Sequence, residues 1–517
     1  MGCGMMVSDH RVAVLDRELC DSRKCGGWPC ITYCPPVRNG VEAIKMGEDG
    51  YPVISETLCI SCGICVKKCP FEAITIINLP SELKGDVAHQ YGVNMFKLFR
   101  LPYPEKGRVV GLIGKNGIGK STAIKILAGQ LIPNFGRLDD QPTLEEAARF
   151  FRGTLIQEHL NSLAKGKVRV SYKPQYVDKI PHVVKGRVGE LLKKLGDGDK
   201  LRYIADAMEL EHLMEREIQV LSGGELQRLA IAACLMREAD LYLLDEPSSF
   251  LDIRQRLRMA SEIRKPTEEG KKVVVADHDL AVLDYLSDAI FLLYGEPAVY
   301  GVVAGPYGCR EGINIYLEGF IPDENLRFRR EKIIFETRST ETGEAGEVAF
   351  AWPEMSKTYD GFKLRIEDGQ VYVGEVIGVM GPNGIGKTTF VKIIAGKENP
   401  DEEIKFDESL VSYKPQYPEA IGESVEETLR RAAGSVFDSS LYQAEIINAL
   451  GLNKLMERRL DELSGGELQK VAIAEALSRE ASIYVLDEPS AYLDVEERYH
   501  VARILKRYTR ERRCVTF

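Results

Sequence analysis

Cys59, Cys62, Cys65 and Cys69 follow the spacing C-x2-C-x2-C-x3-C and are closed by Pro70. Three thiolates on one tight loop can hold three iron corners of a cubane, while the fourth turns away to a second cluster. Upstream, Cys20, Cys25, Cys30 and Cys34 form the looser variant C-x4-C-x4-C-x3-C, closed by Pro35. A matching segment accompanies each Cys-Pro pair, PPVRNGVEAIKM in one case and PFEAITII in the other. This pseudo-repeat is what a two-cluster ferredoxin-like fold leaves in sequence. It predicts two 4Fe–4S clusters with crossed ligands. Cys20, Cys25 and Cys30 share one with Cys69, and Cys59, Cys62 and Cys65 share the other with Cys34. Structural zinc, the competing chemistry, favours paired C-x2-C knuckles instead. Cys3 is left over and reads as a free thiol near the terminus.

Beyond residue 80 the chain repeats itself. RVVGLIGKNGIGKSTAIKILAG at 108–129 returns as EVIGVMGPNGIGKTTFVKIIAG at 375–396. In G-x4-G-K-[ST] the glycines let backbone N–H groups close around phosphates, with a helix N-terminus behind them. Asn116, Gly117, Gly119, Lys120, Ser121 and Thr122 form the first ATP cradle; Asn383, Gly384, Gly386, Lys387, Thr388 and Thr389 form the second. Lys120 and Lys387 would reach the β- and γ-phosphates, and Ser121 and Thr388 would hold Mg2+. LYLLDEPSSFLD at 241–252 returns as IYVLDEPSAYLD at 483–494, which puts Asp245 and Asp487 at strand ends as further magnesium carboxylates. The next residues, Glu246 and Glu488, are placed to polarise an attacking water as general bases. Gln175 and Gln416, inside the repeated SYKPQY, would sense the metal and the γ-phosphate.

LSGGELQ at 221–227 returns at 463–469. A serine and two glycines opening a helix offer a hydroxyl, backbone N–H groups and a helix dipole to an anion. Each copy already has a phosphate loop, so Ser222, Gly223 and Gly224, and likewise Ser464, Gly465 and Gly466, invite the nucleotide held by the other copy. The pattern resembles the ABC-type ATPases, whose two halves stack head to tail around two ATPs. That resemblance pairs Lys120 with Ser464 and Lys387 with Ser222. His278, in VVVADHDL, matches the family's switch histidine. For adenine stacking, Tyr91 or Phe96 precedes the first loop, and Tyr359 or Phe362 the second.

These residues need strand–loop–helix scaffolds, and the sequence supplies them twice. Each copy reads as an apolar strand, a glycine loop and a helix, which gives an α/β P-loop ATPase with two tandem nucleotide-binding domains behind a small α+β cluster domain. The expected boundaries are 1–79 for the cluster domain, 80–299 for the first cassette, 300–330 for a hinge and 331–517 for the second cassette. The repeat offset is 267 residues at the phosphate loop and 242 at LSGGE, a difference of 25 that marks an insertion in the first copy around 134–170. Adding 242 to position 278 gives 520, beyond Phe517. The second cassette therefore reads as C-terminally shortened, with an ATP site that binds but hydrolyses poorly.

Composition limits the alternatives. The formal charge of −10 predicts no bulk attraction to nucleic acid or anionic membrane. Of twelve cysteines, nine lie before residue 70, a clustering that favours metal over disulfides in a chain without a secretion signal. No apolar run is long enough to span a bilayer, so the expectation is cytoplasmic, without a membrane partner, and monomeric with the cassette pair inside one chain.

Two ferredoxin-like cysteine motifs, two ABC cassettes and the segment YGVVAGPYGCREGINIYLEGFIPDENLRFR at 300–329 occur in that order. The combination resembles the RNase L inhibitor family of ABC-type ribosome-recycling ATPases. The resemblance implies splitting of ribosomes with a release-factor-like partner, followed by residence on the small subunit, with contacts to its RNA and proteins. It implies that the 134–170 insertion touches ribosomal RNA, and that Arg310 and the arginines at 327, 329 and 330 contact RNA or the other half. The clusters then act as staples for a domain with too little core. The rival class is an ATP-coupled iron–sulfur electron-transfer enzyme, for which the chain carries no flavin, haem or substrate motif.

Overall fold

The structure is a computed structural model that describes residues 10–17, 19–79, 83, 85–196, 198–335, 347–416, 418 and 422–517. Cys3 and Tyr417 lie outside the described residues. The chain forms two compact units, residues up to 250 with 255–332, and residues 251–254 with 333–517.

In the first unit, strand His10–Leu15 pairs antiparallel with Ile74–Leu79 and closes the front module on itself. Between them lie the hairpin Ile44–Met46 with Pro52–Ile54 and three single-turn helices, Pro29–Thr32, Pro35–Arg38 and Ile64–Lys68. The first two helices begin on proline, whose missing N–H is one the helix start cannot use. The apolar core is small. Ala13, Leu15, Ala43, Ile44, Ile54, Ala73 and Ile74 share it with four cysteines.

The rest of this unit is built on an eight-stranded sheet. Its central run is parallel: Val170–Lys173, Leu241–Asp245, Lys272–Ala276, Val109–Ile113 and Ala289–Glu296. Val109–Ile113 is buried throughout, as a strand covered on both faces must be. Tyr300–Gly308 then runs antiparallel to Ala289–Glu296, and helix Cys309–Glu318 packs beside it. The segment read as a hinge from residue 300 is thus largely part of the first cassette, because Val302, Val303 and Ala304 are buried in its sheet. Arg329, expected to contact RNA or the other half, is used within the fold. Its guanidinium donates to the carbonyls of Tyr316 and Leu317 at the end of that helix and lies 5.3 Å from the Tyr316 ring centroid.

The insertion is a helical pair, Leu144–Phe150 and Leu155–Ala164, the first opened by a reciprocal Thr143–Glu146 cap. Phe135 stacks on Phe150 with ring centroids 3.9 Å apart. His159 fixes the second helix: its ring is buried and Nε2 lies 2.9 Å from the carbonyl of Leu127, at the end of the helix behind the phosphate loop. Burial pulls His159 down to about 4. Unfolded, the same ring takes a proton near its ordinary value, so the native chain binds fewer protons between the two. Stability is therefore complete above about pH 6.5 and declines by about 3 kcal/mol as pH falls to about 4. His159→Gln keeps a donor for Leu127 without titrating. Its acid-unfolding curve should lack that decline, and superimposable curves for both proteins would refute the assignment.

In the second unit, Val411–Lys414, Ile483–Leu486 and Val515–Thr516 form a parallel sheet, with helices Lys387–Ile394, Val425–Ala433, Gly465–Ser478 and Val495–Glu511 around it. Two antiparallel pairs precede it, Val348–Trp352 with Gly369–Tyr372 and Met355–Tyr359 with Phe362–Ile366. The apolar run at 375–380, expected as a strand like its counterpart, makes only the bridge Val376 to Thr516. In the first cassette that strand lies between two parallel neighbours; here Val515–Thr516 is the one neighbour among the described residues, and most of the run stays exposed.

Candidate functional site

Proline shapes the cysteine centres. Cys34 and Cys69 each precede one and take nearly the same extended backbone, φ −69°, ψ 118° and φ −71°, ψ 117°. A residue before proline is kept out of helical space, so each of these cysteines leaves its own short helix and turns aside. Cys69 reaches a pocket with Cys20, Cys25 and Cys30, closed by Trp28, Pro29, Pro52 and Phe71. Burial, with the neighbouring cysteines adding to it, pushes Cys20 and Cys30 up to about 11. The other set behaves alike. Burial, then Cys59, Cys62 and Cys34, raise Cys65 to about 12. Cys34 is likewise raised by burial, Cys62 and Cys59. The two expected sets are therefore brought together in crossed form. All eight thiols are free of disulfides, and packed this way they become thiolates only beside a strong positive charge. Among the described residues no three His, Cys, Asp or Glu side chains converge on one point. A cubane, which spreads its ligands around its own body, does not ask them to.

The front module is docked through one turn of the first cassette. Buried Asn94 donates from Nδ2 to the carbonyls of Ala13 (2.9 Å) and Ile54 (3.0 Å), and its Oδ1 accepts from the Ile54 N–H at 2.8 Å. Lys97, also buried, pairs with Glu56 at 2.5 Å. Tyr91, three residues before Asn94, lies half exposed with its hydroxyl 3.0 Å from Thr122 Oγ1 at the phosphate-loop helix. Phe96 instead sits under the loop, so close that a Cβ on Gly119 would come within 2.9 Å of its ring. The second cassette repeats this division. Phe362 packs below Gly386, and Tyr359 stays partly exposed with its hydroxyl on Glu398. In each copy the tyrosine is the more exposed ring of the two.

Both phosphate loops turn at glycines that need left-handed backbone, Gly119 at φ 104° and Gly386 at φ 102°. Lys120 Nζ donates to the carbonyls of Gly114 and Lys115, and Lys387 Nζ to those of Gly381 and Pro382. Asp245, at its strand end, is buried and neither carboxyl oxygen has a hydrogen-bond partner. Burial pushes its carboxyl up. The adjacent Ser121 hydroxyl opposes the shift without lining up as a partner. A buried, unmatched carboxylate beside a hydroxyl has the form of a cation site, and Asp487 Oδ2 is unmatched in the same way.

Glu246 lies next to Asp245. Gln175 Nε2 donates to its Oε1 at 2.7 Å, and His278 Nε2 stands 3.3 Å from the same oxygen, off-axis for a hydrogen bond. Burial alone would raise Glu246, but the His278 ring, with Lys120 and Lys173 behind it, outweighs burial and holds the carboxyl down at about 2. The result is an ionised acceptor aimed where the expected glutamine and histidine meet. For Gln416, the structure gives a half-buried place after strand Val411–Lys414.

Ser222 and Ser464 cap helices Gly223–Met236 and Gly465–Ser478, and their hydroxyls are already engaged. Ser222 Oγ donates to Glu225 Oε2 at 2.8 Å, and Ser464 Oγ to Glu467 Oε2 at 2.7 Å. This reciprocal cap, readable from S-x-x-E, was not foreseen. Phe250 and Tyr492 pass so close to the signature helices that a Cβ on Gly224 or Gly466 would lie 3.0 or 3.1 Å from their carbonyls. Sequence reasoning also missed Lys173 and Lys414, both buried. Lys173 Nζ donates to the carbonyls of Asp245 and Glu246, and Lys414 Nζ to that of Asp487. Their signal was the lysine present in both copies of SYKPQY.

Comparison with known proteins agrees with this anatomy. The "ABC transporter" family matches residues 103–249 and 364–491, the "4Fe-4S binding domain" matches 52–75, and the "Possible Fer4-like domain in RNase L inhibitor, RLI" matches 10–42. An uncharacterized ABC transporter ATP-binding protein of Methanocaldococcus jannaschii is 51% identical over 98% of this chain and 84% of its own length. Translation initiation factor RLI1 of Saccharomyces cerevisiae is 45% identical, covering 98% of this chain and 84% of that protein. A solved structure titled as ribosome-bound archaeal Pelota and ABCE1 superposes with a TM-score of 0.93 at 50% identity, over 99% of this chain and 86% of the matched one. Among the described residues no helix is long and apolar enough to cross a membrane.

Proposed function

Because the chain belongs to the RNase L inhibitor family of ABC-type ATPases, we propose that it is an ATP-driven ribosome recycling factor of the cytoplasm. It splits ribosomes into subunits with a release-factor-like partner and remains on the small subunit, touching its RNA and proteins. The chain works as a monomer whose two cassettes face each other. ATP held by Lys120 and its loop meets Ser464, and ATP held by Lys387 meets Ser222. Ser121 with Asp245 and Gln175, and Thr388 with Asp487 and Gln416, hold the magnesium that neutralises phosphate charge. Glu246, steered by Gln175 and His278, orients water in the first site, and Glu488 does so in the second. Tyr91 and Tyr359 carry the adenines.

The two cysteine sets hold two 4Fe–4S clusters, which cross-link the front module rather than pass electrons. Closure of the cassettes then moves this stiff module against the subunit interface. The observation that supports the reading is the docking of the cysteine module onto the turn 91–97, the same turn that carries Tyr91. The test is sedimentation of the protein with small ribosomal subunits, with and without a non-hydrolysable ATP analogue. Co-migration that depends on the analogue is expected; absence from the subunit fraction in every nucleotide state would leave an ATPase without this role.

A further inference from the structure

Glu246 and Glu488 are not glycines, yet both sit in the left-handed region, at φ 48° and 47°. Few side chains adopt it unless their surroundings hold them there. In both cassettes the surroundings include the same group. Gln227 Nε2 donates to the carbonyl of Glu246 at 2.7 Å, and Gln469 Nε2 donates to that of Glu488 at 2.6 Å. Both amides are almost wholly buried, at 0% and 1% exposure, and each lies five residues beyond the signature serine of its own cassette. A carbonyl at the end of a strand whose backbone has turned left-handed no longer faces its ladder neighbour and needs a donor from elsewhere. Lys173 adds a second donor to Glu246 at 3.1 Å.

We infer that Gln227 and Gln469 are positioning residues for ATP hydrolysis. By clamping this carbonyl they fix the peptide of the general base and hence the direction of its carboxylate. For the first cassette that direction is visible in the 2.7 Å bond from Gln175 and the 3.3 Å approach of His278. Without the amide, Glu246 relaxes toward ordinary extended backbone, and its carboxylate leaves both neighbours. The inference rests on the reading of Glu246 and Glu488 as the bases. It adds that the helix carrying the signature serine also aligns the base of the same cassette.

The test uses the full chain with its metal centres intact and compares wild type, Gln227→Met, Glu246→Gln and the double variant. Methionine keeps the volume and removes the donor. Gln227→Met should lower the kcat of the first site about 10- to 100-fold with KM for ATP and fluorescent-nucleotide affinity within about twofold, as misdirection of one catalytic group does. In the Glu246→Gln background it should cost nothing further, since the group it aims is already gone. A further loss there, or parallel loss of binding and thermal stability, would make Gln227 a packing residue and overturn the inference. Full turnover in Gln227→Met would overturn it too, whereas full turnover in Glu246→Gln would instead remove the reading beneath it. Gln469→Met, scored against Glu488→Gln, repeats the measurement should the first variant fail to fold.

Discussion

Cys65→Ser protein should lose iron, expose its front module to protease and stop splitting ribosomes while its cassettes still bind ATP. The effect is large because nothing else in the module can take up the load. Its core is a handful of small and branched side chains together with the cysteines themselves, and a domain of this size has little stability to spare. Structural metal centres contribute on the order of 10 kcal/mol to such folds. Serine cannot replace the sulfur: Cys65 is 5% exposed, and an unpaired hydroxyl there is buried against apolar neighbours. Iron content, limited proteolysis of residues 10–79 and subunit splitting are the readouts. A protease-resistant, iron-free module that still splits ribosomes would end the staple interpretation, and with it the idea that stiffness is what the module contributes.

The second large effect is on turnover. Replacing Glu246 and Glu488 together by glutamine should reduce phosphate release about 100-fold or more, with both nucleotides still bound and the cassettes held closed. Each single variant should keep the turnover of the untouched site, so the two singles apportion the wild-type rate between the cassettes. Glutamine matches the shape of the carboxylate and can accept from Gln175 through its carbonyl, but it cannot take a proton. Phosphate release by stopped assay and retention of labelled nucleotide after gel filtration measure the two halves of this expectation. Near wild-type release from the double variant would mean that another group activates the water.

What the sequence disclosed depended on distance along the chain. The cysteine loops, phosphate loops and signature serines are motifs of a few consecutive residues, and their chemistry follows from spacing. The crossed grouping of the cysteines was expected from the doubled motif, and the structure adds that proline after Cys34 and Cys69 turns those two aside. Asn94 was not legible. Its partners Ala13 and Ile54 lie 81 and 40 residues away, and an asparagine in a turn has many ordinary explanations. Gln227 and Lys173 were hidden for the same reason, although both stand inside stretches repeated word for word. The apolar run at 375–380 shows the opposite failure. Its pattern is that of a buried central strand, but such a strand is covered only with neighbours on both sides, and apolarity cannot tell how many there are. The place of Arg329 on the helix end was not legible either, because its bonds to the Tyr316 and Leu317 carbonyls belong to no motif.

The turn from Tyr91 to Lys97 has a consequence for protein engineering. A shortened protein that began near residue 80, where composition suggests a clean border, would discard Glu56 and the Ala13 and Ile54 carbonyls while retaining their partners. The cassette would then start with an ammonium and an amide stripped of their mates, in the same short segment that carries Tyr91 and its contact with Thr122. Grafting the cysteine module onto a foreign ATPase would meet the mirror-image problem unless those seven residues travelled with it. The border between the two modules is drawn by hydrogen bonds, not by chain order, and it runs through the turn that carries Tyr91.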